Sequence, residues 1–143
     1  MKHRLLGVTL LAAGSVMAQG VVLPPDVATK KPPESASPTA RAFAGKWLGQ
    51  WDGRMPHVLV VEEVKSNTEV QVVYAWQEPP TDNAWGAGWY RTMATLEGNT
   101  LKVPLRNGNR AWYDLLPDGS LKAGYQRAGA SGQSGAAMKR VEP

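Results

Sequence analysis

Few side chains in this 143-residue chain could do covalent or acid–base chemistry, and they are scattered. Cysteine is absent, which excludes thiolate nucleophiles, thiolate-ligated metals and disulfides. Of two histidines, His3 falls in a leader-like start, so His57 stands alone and a multi-histidine metal site is excluded. Asp52 precedes His57 by five positions and could orient it as a general base; the competing reading is an ordinary loop pair. A Ser–His–Asp triad needs a serine on a sharp strand-to-helix turn, whereas Ser66, Ser120, Ser131 and Ser134 lie in or beside expected β-turns. Glu62 and Glu63 are neighbours on an expected strand and should point to opposite faces, against a paired-carboxylate site. No glycine-rich phosphate loop opens a helix. The expectation is a non-enzyme with no metal and no cofactor.

The aromatic residues carry more information. All six Trp, all four Tyr and the single Phe lie between Phe43 and Tyr125. Trp51, Trp76, Trp85 and Trp89 fall at the ends of expected strands or in the loop between them, with Tyr74 one strand period inward of Trp76. Indole faces stack on planar, sugar or cationic ligands, and a concave apolar wall with a few polar groups is the usual small-ligand pocket. The same residues could equally fill a small core. Arg91 could face a ligand carboxylate or be solvated.

The elements that would position them read as strands. Apolar and polar residues alternate with period two in Val70, Val72, Tyr74 and Trp76, in Leu101, Val103 and Leu105, and in Leu121, Ala123 and Tyr125. Trp47, Gly49 and Trp51 likewise share a face. The pattern predicts eight strands over 45–51, 57–64, 69–76, 88–96, 100–105, 110–115, 120–127 and 136–141. The second is apolar on both faces at Val58 to Val61, so its register is open. Short turns such as Asn107-Gly108 and Asp118-Gly119 favour hairpins. Eight strands in hairpin succession leave two exposed edges unless they close into an antiparallel up-and-down barrel. Such a barrel is just wide enough to be filled by side chains or to hold one small ligand. The connections at 65–68, 97–99 and 116–119 are tight. Those at 52–56, 77–87, 106–109 and 128–135 are mostly longer, so one end is closed and the other open, with Trp51, Trp76, Trp85 and Trp89 at the open rim.

Upstream, Lys2, His3 and Arg4 precede an apolar run from Leu5 to Val16 and a Val16-Met17-Ala18 cleavage signal. Residues 1–18 read as a secretory signal peptide, too short to span a bilayer comfortably, the alternative being an uncleaved anchor. Residues 19–41 hold five prolines and few bulky apolar groups, which predicts a disordered proline-rich tether, alternatively a docking segment for a proline-binding partner. The β-barrel domain is expected over 42–143. The net charge is +4, but from Phe43 onward basic and acidic residues number 11 and 10 and are interspersed. A nucleic-acid partner, which needs a concentrated basic face, is not expected. The absence of Asn-x-Ser/Thr sequons favours a bacterial periplasmic or secreted protein.

Gly45-Lys46-Trp47 at the opening of the first strand resembles the G-x-W that begins the barrel in calycins, the superfamily of lipocalins, fatty-acid-binding proteins and avidins. The resemblance implies a basic residue on the last strand packed across Trp47, for which Arg140 or Lys139 is placed; Gly45, Trp47 and Arg140 are then structural. It covers the barrel and not the tether. The chain departs from lipocalins in having its longest loop after the third strand, and it lacks the avidin pattern of biotin-binding residues. The longer run G-x-W-x-G-x-W resembles accessory domains of exported bacterial hydrolases. Two functions follow as expectations: a barrel binding a small apolar or aromatic ligand through Trp51, Tyr74, Trp76, Trp85 and Trp89, or a filled barrel contacting an envelope protein or glycan.

Overall fold

The computed structural model describes residues 16–18, 20–77 and 87–141. Most of the expected leader and all of Trp85 lie outside the described residues. Two short strands, β1 (Val16–Ala18) and β2 (Val21–Leu23), form a hairpin, and a helix, α1 (Pro38–Phe43), follows. Then come β3 (Gly45–Trp51), β4 (Met55–Val64), β5 (Glu69–Trp76), β6 (Gly88–Glu97), β7 (Thr100–Pro104), β8 (Arg110–Leu115), β9 (Leu121–Gln126) and β10 (Ser134–Val141). These eight form the closed antiparallel barrel expected from the sequence, each strand pairing with its neighbour in the chain. β10 closes the ring by pairing with both β9 and β3, Ala136 opposite Ala123 and Arg140 opposite Trp47. Among the described residues no helix is long and apolar enough to cross a membrane.

The inward row is the apolar one. Trp47, Leu59, Val61, Val70, Val72, Leu101, Val103, Tyr113, Leu121 and Met138 pack into one cluster, all at most 1 % exposed. Gly49 sits in this row because Met138 takes its space: a Cβ there would lie 2.5 Å from the Met138 sulfur and from the Ala137 carbonyl. Helix α1 plugs the end where the tight turns lie. Ser37 caps it by accepting from the Ala40 N–H at 3.1 Å, and Pro38 follows at the first helical position, where its missing N–H costs nothing. Ala40 and Phe43 then join the inner cluster.

The segment preceding α1 corrects the expected disordered tether. Val21 and Leu23 are fully buried against Val58, Val60, Val73 and Ala75 on the outer faces of β4 and β5. This explains why β4 is apolar on both faces and settles its register: Leu59 and Val61 face in, while Val58 and Val60 face out beneath β2. Burying Val21 and Leu23 is worth about 2 kcal/mol each, which a proline-rich composition does not reveal.

Polar clasps hold the rest of the segment. A bulge at Val61/Glu63 leaves Glu62 as the extra residue of β4. Glu62 and Glu63 therefore both engage the outer segment rather than pointing to opposite faces, which corrects the simple alternation. Glu62 accepts from Arg91 Nε at 2.8 Å, from Gln71 and from the Ala28 N–H, and its carbonyl accepts the Lys30 N–H at 2.8 Å. Glu63 pairs with Lys30 and Lys65. Arg91 also reaches Asp26 at 3.0 Å, so its guanidinium fastens the segment to the outer wall. Burial alone would raise the Glu62 carboxyl, but the Arg91 guanidinium, with Gln71 and the Ala28 N–H, outweighs it and holds the pKa below 4.5.

Candidate functional site

Burial falls from one end of the barrel to the other. Along β3, Trp47 is fully buried and Trp51 lies at the edge of a cavity; along β5, Val70 and Val72 are buried, Tyr74 borders the cavity and Trp76 is half-exposed. The closed half is a packed core, and the open half leaves a cavity of about 600 Å³ that opens at the rim. The barrel is thus neither fully filled nor hollow throughout.

The aromatic wall is contributed by four strands. Trp51 ends β3, Tyr74 and Trp76 end β5, Tyr90 starts β6 and Tyr125 lies near the end of β9. Trp51 lies 6.5 Å from Tyr74 and 5.9 Å from Tyr125, and Tyr74 lies 5.9 Å from Trp76. Such offsets suit a continuous wall of ring faces. Met55 and Leu105 complete its apolar part. Of the expected ligand residues, the structure brings Trp51, Tyr74 and Trp76 to one cavity. Trp89 is not with them: β6 faces inward at Tyr90 and Ala94, so Trp89 lies on the outer face, 38 % exposed and beneath the Arg91 guanidinium. Trp85 lies outside the described residues.

Tyr90 and Tyr125 were missed by sequence reasoning, although a signal existed for each. Tyr90 shares the parity of the buried Ala94 and Leu96 and pairs with Tyr74 across the ladder. Tyr125 shares the face of Leu121 and Ala123.

Behind the wall lies His57. It stacks on Trp51 at 4.9 Å, lies tilted against Tyr74 at 4.5 Å, is fully buried, and does not line the cavity. Its Nδ1 lies 2.7 Å from the Ala75 carbonyl and its Nε2 2.7 Å from the Tyr113 hydroxyl. Burial pulls its pKa down to about 4, with the Ala75 hydrogen bond opposing. Burial likewise pushes the Tyr113 hydroxyl well above its ordinary value. Burial, first, and the neighbouring Tyr125 push the Tyr74 hydroxyl up. Among the described residues, Trp51 Nε1–H is buried without a hydrogen-bond partner.

Asp52 does not meet His57. It accepts from the Gly135 N–H at 3.0 Å while its own N–H donates to the Gly135 carbonyl at 2.8 Å, fastening the first rim turn to β10. Among the described residues no group of three or more His, Cys, Asp or Glu could hold a metal.

At the opposite end, Arg140 and Trp47 form a second constellation. The guanidinium lies 4.3 Å from the Trp47 ring centroid and donates to the carbonyls of Ala42 and Ala44 at the end of α1. Trp47 Nε1–H donates to the Phe43 carbonyl at 2.9 Å. Gly45 has φ +111, and a Cβ on it would meet Arg140 at 2.8 Å, so this position takes only glycine without strain. Two residues of β3, one of β10 and the helix end are thereby locked together, at the end opposite the cavity.

No protein-family model matches this sequence, and no curated protein is significantly similar to it.

Proposed function

We propose that this protein is an exported, non-catalytic barrel that takes a small apolar or aromatic ligand into its open mouth. The observation that carries the reading is the division of the interior: a packed, helix-plugged half beneath a cavity of about 600 Å³ walled by Trp51, Tyr74 and Trp76. That volume is in the range of small-molecule pockets, and an apolar wall with few polar groups is how such pockets gain affinity. The secretory-type leader supports a periplasmic or secreted setting. The Gly45-Lys46-Trp47 opening, with Arg140 stacked across Trp47, supports a calycin-type barrel. The two ring nitrogens of His57 are engaged by Ala75 and Tyr113 behind the wall, which supports a non-catalytic reading.

The test is tryptophan fluorescence of the purified protein titrated with fatty acids, aromatic acids and sugars. A saturable change that is lost in Trp76→Ala and kept in Lys122→Ala, both variants folded by circular dichroism, supports the mouth as the site. A folded protein that responds to none of them favours the second reading, contact with an envelope protein or glycan. Trp89 and Met93, 38 % and 42 % exposed on the outer face of β6, support that alternative.

A further inference from the structure

The cavity carries a charge pattern that the sequence does not announce. Each of the three described connections at the open rim supplies one arginine to its lining. Arg54 comes from the turn between β3 and β4, Arg106 from the single 3-10 turn between β7 and β8, and Arg127 from the residue following β9. The only carboxylate among the described lining residues is Asp52, which is engaged by the Gly135 N–H. Arg106 is also held in place, its guanidinium 4.8 Å from the Tyr90 ring centroid.

Below the rim the described residues of the wall bear no charge. Its groups are indoles, phenols, Met55 and Leu105, and the histidine behind it stacks on Trp51 with both ring nitrogens bonded. Because the barrel is nearly neutral as a whole, this collar is a local feature and not a consequence of bulk basicity. Guanidinium groups recognise carboxylate, sulfonate and phosphate oxygens through paired N–H donors. A wall of ring faces beneath them selects an apolar or aromatic body.

We propose that the mouth is specific for amphipathic anions, with the apolar or aromatic body inside and the anionic group at a collar formed by Arg54, Arg106 and Arg127. The proposal rests on the pocket reading above and adds the sign and position of the ligand's charge.

The test compares two probes of one body, naphthylacetate and naphthylethanol, by titration calorimetry on the purified full chain. Naphthylacetate should bind about tenfold more tightly at low salt, an advantage that shrinks as ionic strength screens the exposed collar. The triple variant Arg54→Gln, Arg106→Gln, Arg127→Gln should lose that advantage while still binding naphthylethanol, and Lys102→Gln should change neither. Equal affinity for the two probes, or an advantage that survives in the triple variant, overturns the collar and leaves the pocket standing. Binding of neither probe by the folded protein overturns the collar and the pocket reading together.

Discussion

The Tyr113 hydroxyl donates a 2.7 Å hydrogen bond to Nε2 of His57 in the interior of the barrel, where both side chains are fully buried. The direction follows from the other ring nitrogen. His57 Nδ1 faces the Ala75 carbonyl at 2.7 Å, and a carbonyl can only accept, so Nδ1 carries the proton. Nε2 is then bare and must accept, which leaves Tyr113 as the donor. The pair bridges β4, β5 and β8 as one satisfied polar chain beneath the aromatic wall.

This arrangement makes His57 a source of acid sensitivity. Its folded pKa of about 4 lies below the ordinary 6.5, so between these values the unfolded chain binds more protons than the folded one. Stability is complete above pH 6.5 and falls as pH drops towards 4. The loss should reach about 2–3 kcal/mol by pH 4.5, measured by urea unfolding between pH 7 and 4.5. A His57 resonance that titrates near 6.5 by NMR would contradict the buried neutral assignment.

Tyr113→Phe removes the donor and leaves His57 Nε2 buried and unpaired. It should cost about 1–3 kcal/mol of stability at neutral pH without unfolding the barrel, read as a shift of the chemical denaturation midpoint. A cost near zero would mean that water or another side chain takes over as donor.

The N-terminal segment should behave as part of the wall. Leu23→Ala opens a void beside Val58, Val60, Val73 and Ala75 and should destabilise the whole barrel by about 2–4 kcal/mol. A freely moving tether would give no change. Glu62 adds a separate acid response: its folded pKa is lowered, so its stabilisation is present above the ordinary value of 4.5 and is lost as pH falls below it. Limited proteolysis at Lys30 or Lys31 should therefore accelerate in acid, and Glu62→Gln should be cut faster already at neutral pH.

Arg140→Lys keeps the charge but not the fork that reaches two carbonyls while lying across Trp47. The exposed stacking and one carbonyl bond together should cost about 1–2 kcal/mol, seen as a lowered thermal midpoint, with ligand affinity unchanged because the cavity is at the other end. A change in affinity without a change in midpoint would place Arg140 in the site instead.

Much of the barrel was legible in the chain. Period-two alternation, hairpin chemistry such as Asn107-Gly108, and the G-x-W opening are local signals, and the eight barrel strands begin and end within two residues of the expected ones, whereas β1 and β2 were not expected. The order of short and long connections also distinguishes a closed end from an open one, because a meander places alternate turns at the same rim.

What only the tertiary structure decided depends on parity and on partners distant in sequence. Trp89 and Tyr90 are adjacent, and a one-residue difference in register decides which of them enters the cavity. β4 is apolar on both faces, so alternation within it carries no direction until β2 is seen covering Val58 and Val60, more than thirty residues away in the chain. The extra residue at Glu62 reverses parity beyond it, and no local residue pattern marks a bulge there. Arg54, Arg106 and Arg127 are ordinary loop residues in one dimension. They become a collar only because closing the ring brings three separate turns to the same rim.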